Sequence, residues 1–223
     1  VDRVSRVLMK DYIVLRDNFG DWCMPPESLE LIHSQDTTRH TKGEVLSTTM
    51  FYSILQLMKK FADINRSPDD VARYTDLAIK IKDAYNRAFF DTVNGWYSNN
   101  TVTANILSLR LGLVPAGYEM KVFENVVEKT KNDCHSHVST GVIGIQHLLR
   151  GLTEYGKADL AYTIATNDTY PSWGYMVKNG ATTIWELWNG NTADPAMNSG
   201  NHVMLLGDLV TVSYTHLRAH ETL

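Results

Sequence analysis

Little in this 223-residue chain marks a specialised class, and each shortage excludes something. Two cysteines, Cys23 and Cys134, stand far apart without Cys-x-x-Cys spacing, which argues against a disulfide framework and against a zinc site. No apolar run approaches the roughly 18 residues of a membrane span, and the amino end has no signal-peptide pattern. Basic residues are outnumbered, 21 to 25, so a formal charge of −4 offers no footprint for nucleic acid or an anionic membrane. Strand-like alternation is scarce as well. What remains is the composition of an ordinary globular domain with an apolar core, suited to a neutral or polar small-molecule partner.

Helical signals fill most of the chain and recur in pairs. Gly43 to Ile64 carries Leu46, Met50, Ile54, Leu57, Met58 and Phe61 on one stripe, predicting a core-facing helix. Ser67 as N-cap, Pro68 at the first helical position and Asp69 and Asp70 in the first turn open the next helix, which runs to Phe89. Asn94-Gly95 marks a tight turn, read as part of a loop between helices with a short hairpin as the alternative. Helices are then expected at Thr103 to Leu111, Tyr118 to Lys131, Ser139 to Leu149, Glu154 to Thr166 (after a break at Gly151) and Asn198 to Thr211. Long loops at 19–39, 91–100 and 169–198 gather Trp, Asn, Asp and Gly, and long loops on a helical scaffold more often serve function than not.

The two ends differ from this pattern. Residues 4, 7, 8, 12 and 15 follow helical spacing, so the chain is expected to begin inside a helix. After Val212 the periodicity is lost. The segment 212–223 resembles translated sequencing-adapter read-through and is set apart from the domain at 1–211, an ordinary polar terminus being the alternative.

The densest chemistry lies in Asn179-Gly-Ala-Thr-Thr-Ile-Trp-Glu-Leu-Trp-Asn-Gly190, where one carboxylate, Glu186, stands between Trp185 and Trp188. An indole face packs against the C–H face of a pyranose, and a nearby carboxylate can take a proton from water. Composition alone fits a core tryptophan pair better than a sugar subsite. Cys134-His-Ser-His137 lacks the further ligands a metal needs, so no metal is expected. His33 and His40 are placed in a polar, exposed loop, and Lys121, Lys129 and Lys131 on a solvated helix face.

Six collinear segments, covering about residues 11 to 211, resemble bacterial α-L-rhamnosidases of glycoside hydrolase family 78. Ser172-Trp-Gly-Tyr-Met-Val, Gly180-Ala-Thr-Thr-Ile-Trp-Glu and Asn198-Ser-Gly-Asn-His202 are similar to the family's closing motifs. Phe19-Gly-Asp-Trp22 is similar to its Gly-Asp-Trp loop, Thr103-Ala-Asn-Ile-Leu-Ser-Leu with Leu111-Gly-Leu-Val-Pro115 to its Ala-Asn helix, and Ser139-Thr-Gly-Val-Ile-Gly144 to its Thr-Gly helix. The resemblance implies an all-α (α/α)₆ barrel with the active site at one mouth. About eight helices are expected here against the barrel's twelve, so the barrel is expected to be incomplete.

The resemblance also implies an activity: release of terminal α-L-rhamnose from a small-molecule or oligosaccharide rhamnoside, with inversion and no cofactor. Glu186, by its match to the Thr-Thr-Ile-Trp-Glu motif, would be the general base that activates water. The general acid lies, in the family, in an upstream segment of the Asp-Cys-Pro-x-Arg type, which this sequence does not contain. Trp22 and Trp173 would line the sugar pocket, with packing as the alternative for each. Trp185 and Trp188 flank the base, Asp21 would bind sugar hydroxyls or cap a turn, and His202 would contact the sugar. Gly200 stands where the family usually carries an aromatic, and the loop 189–197 is short. Another (α/α)₆ glycosidase, or a non-catalytic carbohydrate-binding or structural helical module, are the other readings.

Overall fold

The computed structural model describes residues 1–213, and eight α-helices are found among them. Six form three antiparallel hairpins: α1 (Gly43–Ile64) with α2 (Pro68–Phe89), α3 (Val102–Arg110) with α4 (Glu119–Glu128), and α5 (Val142–Glu154) with α6 (Ala158–Thr166). The short helices α7 (Trp173–Lys178) and α8 (Leu209–Val212) follow. Two two-stranded hairpins complete the elements: β1 (Met9–Lys10) with β2 (Ile13–Val14), and β3 (Phe90–Asp91) with β4 (Trp96–Tyr97). No helix of the described residues is long and apolar enough to cross a membrane.

Helix α3 is the centre of the packing. Every residue from Val102 to Leu109 is buried, including Thr103, Asn105 and Ser108. These polar side chains are satisfied from outside the helix: the Tyr97 amide donates to Asn105 Oδ1 at 2.8 Å, and the Tyr85 hydroxyl meets Ser108 Oγ at 2.8 Å. Helix α5 crosses α3 closely because Gly151 carries no side chain. A Cβ there would stand 2.4 Å from Ile106 Cδ1. The glycine expected to separate two helices therefore lies inside one, and the break falls at Gly156, with φ of +81°.

Several expected elements take another form. Asp11 and Tyr12 adopt positive φ (49° and 66°), which turns the expected opening helix into a π-helical turn at Val4–Leu8 followed by the β1–β2 hairpin. The Asn94-Gly95 turn closes the β3–β4 hairpin, with Phe90 opposite Tyr97, rather than lying in an open loop. The expected closing helix is split. Residues 198–202 are non-helical with a bend at Gly200, Val203–Leu206 forms a 3₁₀ turn, and Gly207 with φ of +55° separates this turn from α8. Of the expected tail at 212–223, residues from 214 onward lie outside the described residues.

The expected stripe of α1 also faces another way. Leu46 of that stripe is buried with Val45, Thr48, Thr49, Phe51, Tyr52, Leu55 and Ala62, and Met58 is partly buried, whereas Met50, Ile54, Leu57 and Phe61, with Ile64, are 39 to 74% exposed. The helix is apolar on two sides, and α2 with α3 cover one of them.

Connections at one end of the hairpins are short, at 65–67, 111–118 and 155–157. At the other end, where α1, α3 and α5 begin, the long segments 15–42, 90–101, 129–141 and 167–208 collect and bind one another. Asn99 Nδ2 donates to the Thr38 and His40 carbonyls, His137 Nε2 meets the Thr169 hydroxyl at 2.7 Å, and the Tyr170 hydroxyl donates to the Pro26 carbonyl at 3.0 Å.

Candidate active site

Two strips of this loop cluster hold the residues singled out in the sequence. The first is Gly20 to Cys23. Asp17 Oδ1 accepts from the Phe19 and Gly20 amides at 2.8 and 2.9 Å, and Gly20 takes φ of +65°, turning the chain toward the starts of α3 and α5. There the Asp21 carboxylate accepts four hydrogen bonds. Oδ1 receives the Ile143 and Gly144 amides at 2.9 and 3.1 Å; Oδ2 receives the Gly141 amide at 2.8 Å and the Thr103 hydroxyl at 2.5 Å. Both oxygens expected for sugar hydroxyls are thus taken by the protein. Burial pushes this carboxyl up from the ordinary aspartate range, against the four donors that favour the anion.

Trp22 follows, its carbonyl accepting from the Val142 amide at 2.7 Å. Its half-buried ring meets Phe19 edge-on at 6.2 Å and His33 at 4.9 Å. With Met24 and His40, these side chains border a cavity of about 290 Å³. Cys23 turns inward in a left-handed conformation, and burial, then the Glu186 and Asp21 charges, pushes its thiol up to about 12. The thiol is therefore neutral, and it lies within reach of the Glu186 charge.

The second strip is a clasp between 184–186 and 199–202. The Glu186 amide donates to the Ser199 carbonyl at 2.9 Å, and the Ser199 amide donates back to Glu186 Oε2 at 3.0 Å. The His202 amide donates to the Ile184 carbonyl at 2.7 Å and the Thr183 hydroxyl to the Gly200 carbonyl at 2.7 Å. Glu186 is half-buried, with one oxygen fixed by backbone and Oε1 accepting no hydrogen bond among the described residues. His202, half-buried at the start of the 3₁₀ turn, holds its Nδ1 without a partner among the described residues. Asn189, just past the second strip, ties that stretch to the 15–42 loop: its amide donates to the Leu29 and Leu31 carbonyls at 2.7 and 2.8 Å.

The remaining tryptophans pack inward. Trp185, Trp188 and Trp173 are 8, 1 and 5% exposed. Trp173 opens α7 rather than lying in a loop, because the Ser172 hydroxyl caps that helix by accepting from the Tyr175 amide at 2.9 Å. Its indole N–H donates to the Leu205 carbonyl at 2.9 Å, and its ring meets Trp188 edge-on at 5.4 Å. Glu186 and His202 are thus partly accessible on the joined segments 184–186 and 199–202, Trp22 is partly accessible at the cavity of the first strip, and Trp173, Trp185 and Trp188 are buried. Cys23, Asn189 and Ser199 were not anticipated. The run of asparagines after Trp188 is the sequence signal that a polar scaffold was needed there. Among the described residues, no three His, Cys, Asp or Glu side chains gather as metal ligands.

This arrangement has close counterparts. The sequence profile of the bacterial α-L-rhamnosidase six-hairpin glycosidase domain matches residues 2–217. An α-L-rhamnosidase of Streptomyces avermitilis is 31% identical over 191 residues, covering 83% of this chain and 17% of that protein. The solved structure of a Streptomyces avermitilis α-L-rhamnosidase complexed with L-rhamnose superposes with a TM-score of 0.83 at 27% identity, over 95% of this chain and 19% of that one. The α-L-rhamnosidase of Dictyoglumus thermophilum gives a TM-score of 0.80 at 33% identity, over 91% and 22%. The chain thus spans about a fifth of the length of these relatives. With its three helical hairpins and its loop cluster at one mouth, the chain belongs to the bacterial α-L-rhamnosidase six-hairpin glycosidase domain family.

Proposed function

We propose that this chain is the carboxy-terminal part of an (α/α)₆ catalytic domain that releases terminal α-L-rhamnose with inversion, and that Glu186 is its general base. The observation that carries the proposal is the mounting of Glu186. One oxygen is held by the Ser199 amide while the other is left to accept from water, as a base that must orient and deprotonate a nucleophile requires. Inverting hydrolysis takes two carboxyl groups roughly 6.5 to 9.5 Å apart, with the water between the base and the anomeric carbon. The acid is assigned to a part of the domain outside this sequence.

Trp22 forms an apolar wall for the sugar, whose C6 methyl group favours such a surface, and His202 offers an imidazole donor or acceptor to a hydroxyl. A rhamnoside is favoured over other glycosides by family membership and by the superposition on a rhamnosidase solved with L-rhamnose. In the full-length protein, Glu186→Gln is expected to lower kcat for an aryl α-L-rhamnoside by about 10² to 10⁴-fold while leaving the melting temperature in place. Near-normal turnover would remove Glu186 from the chemistry and favour a binding or structural module. Preference for another sugar in a panel of aryl glycosides would retain the mechanism and change the substrate.

A further inference from the structure

We infer that Asp21 is a positioning residue: its carboxylate pins the Trp22 loop to the starts of α3 and α5, and so sets where the Trp22 ring stands. This rests on the proposed reading of Trp22 as a wall of the sugar site.

Asp21 is half-buried and each oxygen of its carboxylate accepts two hydrogen bonds, three of the four from backbone amides at the N-cap and first turn of α5. Amides of a helix's first turn lack intrahelical partners and carry the positive end of the helix dipole, which is where a buried anion is held without a basic side chain. No Lys or Arg pairs with Asp21 among the described residues. The amide isostere does not replace it, because one oxygen would become an NH₂ group facing N–H donors.

The following residue depends on this attachment. The Trp22 carbonyl is bonded to the Val142 amide, and the backbone of 21–22 lies so close to Gly141 that a Cβ there would stand 2.2 and 2.3 Å from the Asp21 and Trp22 carbonyl oxygens. The Trp22 ring meets Phe19 and His33 of its own segment, pairs with the adjacent Cys23 thiol and rests against the edge of the core. Its polar partner is thus its sequence neighbour, and the backbone that carries both is held by Asp21. Glu186 stands on the other strip, held by Ser199, and does not share this attachment.

The test is a double-mutant cycle in the full-length protein, read as KM and kcat for an aryl α-L-rhamnoside. Trp22→Ala is expected to raise KM about tenfold, as loss of an apolar wall would. Asp21→Asn is expected to raise KM by a similar factor, with kcat and its pH profile unchanged, and Asp21→Asn in the Trp22→Ala background to add less than about twofold. A role in stability alone would lower the melting temperature and leave KM in place. An unaltered KM in Asp21→Asn beside a raised one in Trp22→Ala overturns the inference alone, as do multiplicative effects in the double variant. An unaltered KM in Trp22→Ala removes the reading of Trp22 and this inference with it. Should Asp21→Asn fail to fold, Thr103→Val removes one donor at preserved shape; it is expected to raise KM a few-fold only while Trp22 is present, and its absence of effect on KM would count against the inference.

Discussion

His147 on α5 shows how one side chain can make the fold sensitive to acid. Burial, then the neighbouring Arg110 and Arg150, lowers its imidazole from 6.5 to about 4, and its Nδ1 is buried without a partner among the described residues. The guanidiniums pair with Glu154 (Arg110) and with Asp208 at 2.7 Å (Arg150), and neither carboxylate bonds to the His147 ring. The unfolded chain takes up this proton as pH falls through about 6.5, whereas the folded chain resists until about 4. Stability is therefore full above 6.5, declines between 6.5 and 4, and declines no further from this group below that. His147→Gln is expected to flatten this part of the curve when unfolding free energy is followed by urea titration at stepped pH. An unchanged slope would show that His147 is not responsible.

Among the elements, α1 carries the clearest energetic contrast. Leu55 is fully buried against the neighbouring helices, while Phe61 is 56% exposed on the opposite apolar side. In the 223-residue chain, Leu55→Ala is expected to cost about 2 to 5 kcal/mol and Phe61→Gln to stay within about 0.5 kcal/mol, both measured by urea denaturation. In the full-length protein, where further hairpins complete the ring as proposed, Phe61→Gln is expected to become costly as well. Equal costs in the short chain would overturn the assignment of faces. Helix α2 was readable almost residue by residue, because Pro68, Asp69 and Asp70 mark its start by local chemistry. The buried face of α1 was not, because Thr48, Thr49 and Tyr52 form part of it and apolar periodicity selects the side with Met50, Ile54 and Leu57. Gly151 misled for a related reason: a glycine that permits two helices to touch looks, in one dimension, like a glycine that ends one.

For the molecule as a whole, the proposed function divides the site between the base carried here and an acid assigned elsewhere. The purified 223-residue chain is expected to show no turnover of an aryl α-L-rhamnoside, because the base would act without its acid, and to bind a hydrophobic dye along the open side of α1. Measurable hydrolysis by this chain would refute the division. Sequence motifs singled out the segments that carry Glu186 and His202, and the fold joins those segments by hydrogen bonds. The distinction between open and buried indoles was not legible, because burial depends on what covers a side chain. Trp22 is half-open and Trp188 is covered, though both stand beside acidic or polar neighbours in the sequence. The clasp of 184–186 with 199–202 has a consequence for how such proteins diversify. Because Asn189 and Asn198 also tie down the ends of the intervening stretch, and Thr192 and Ala193 anchor its first part, the exposed turn at 194–196 can change in length without moving Glu186 or His202. Descent can lengthen or recompose that turn while Glu186 and His202 stay where they are.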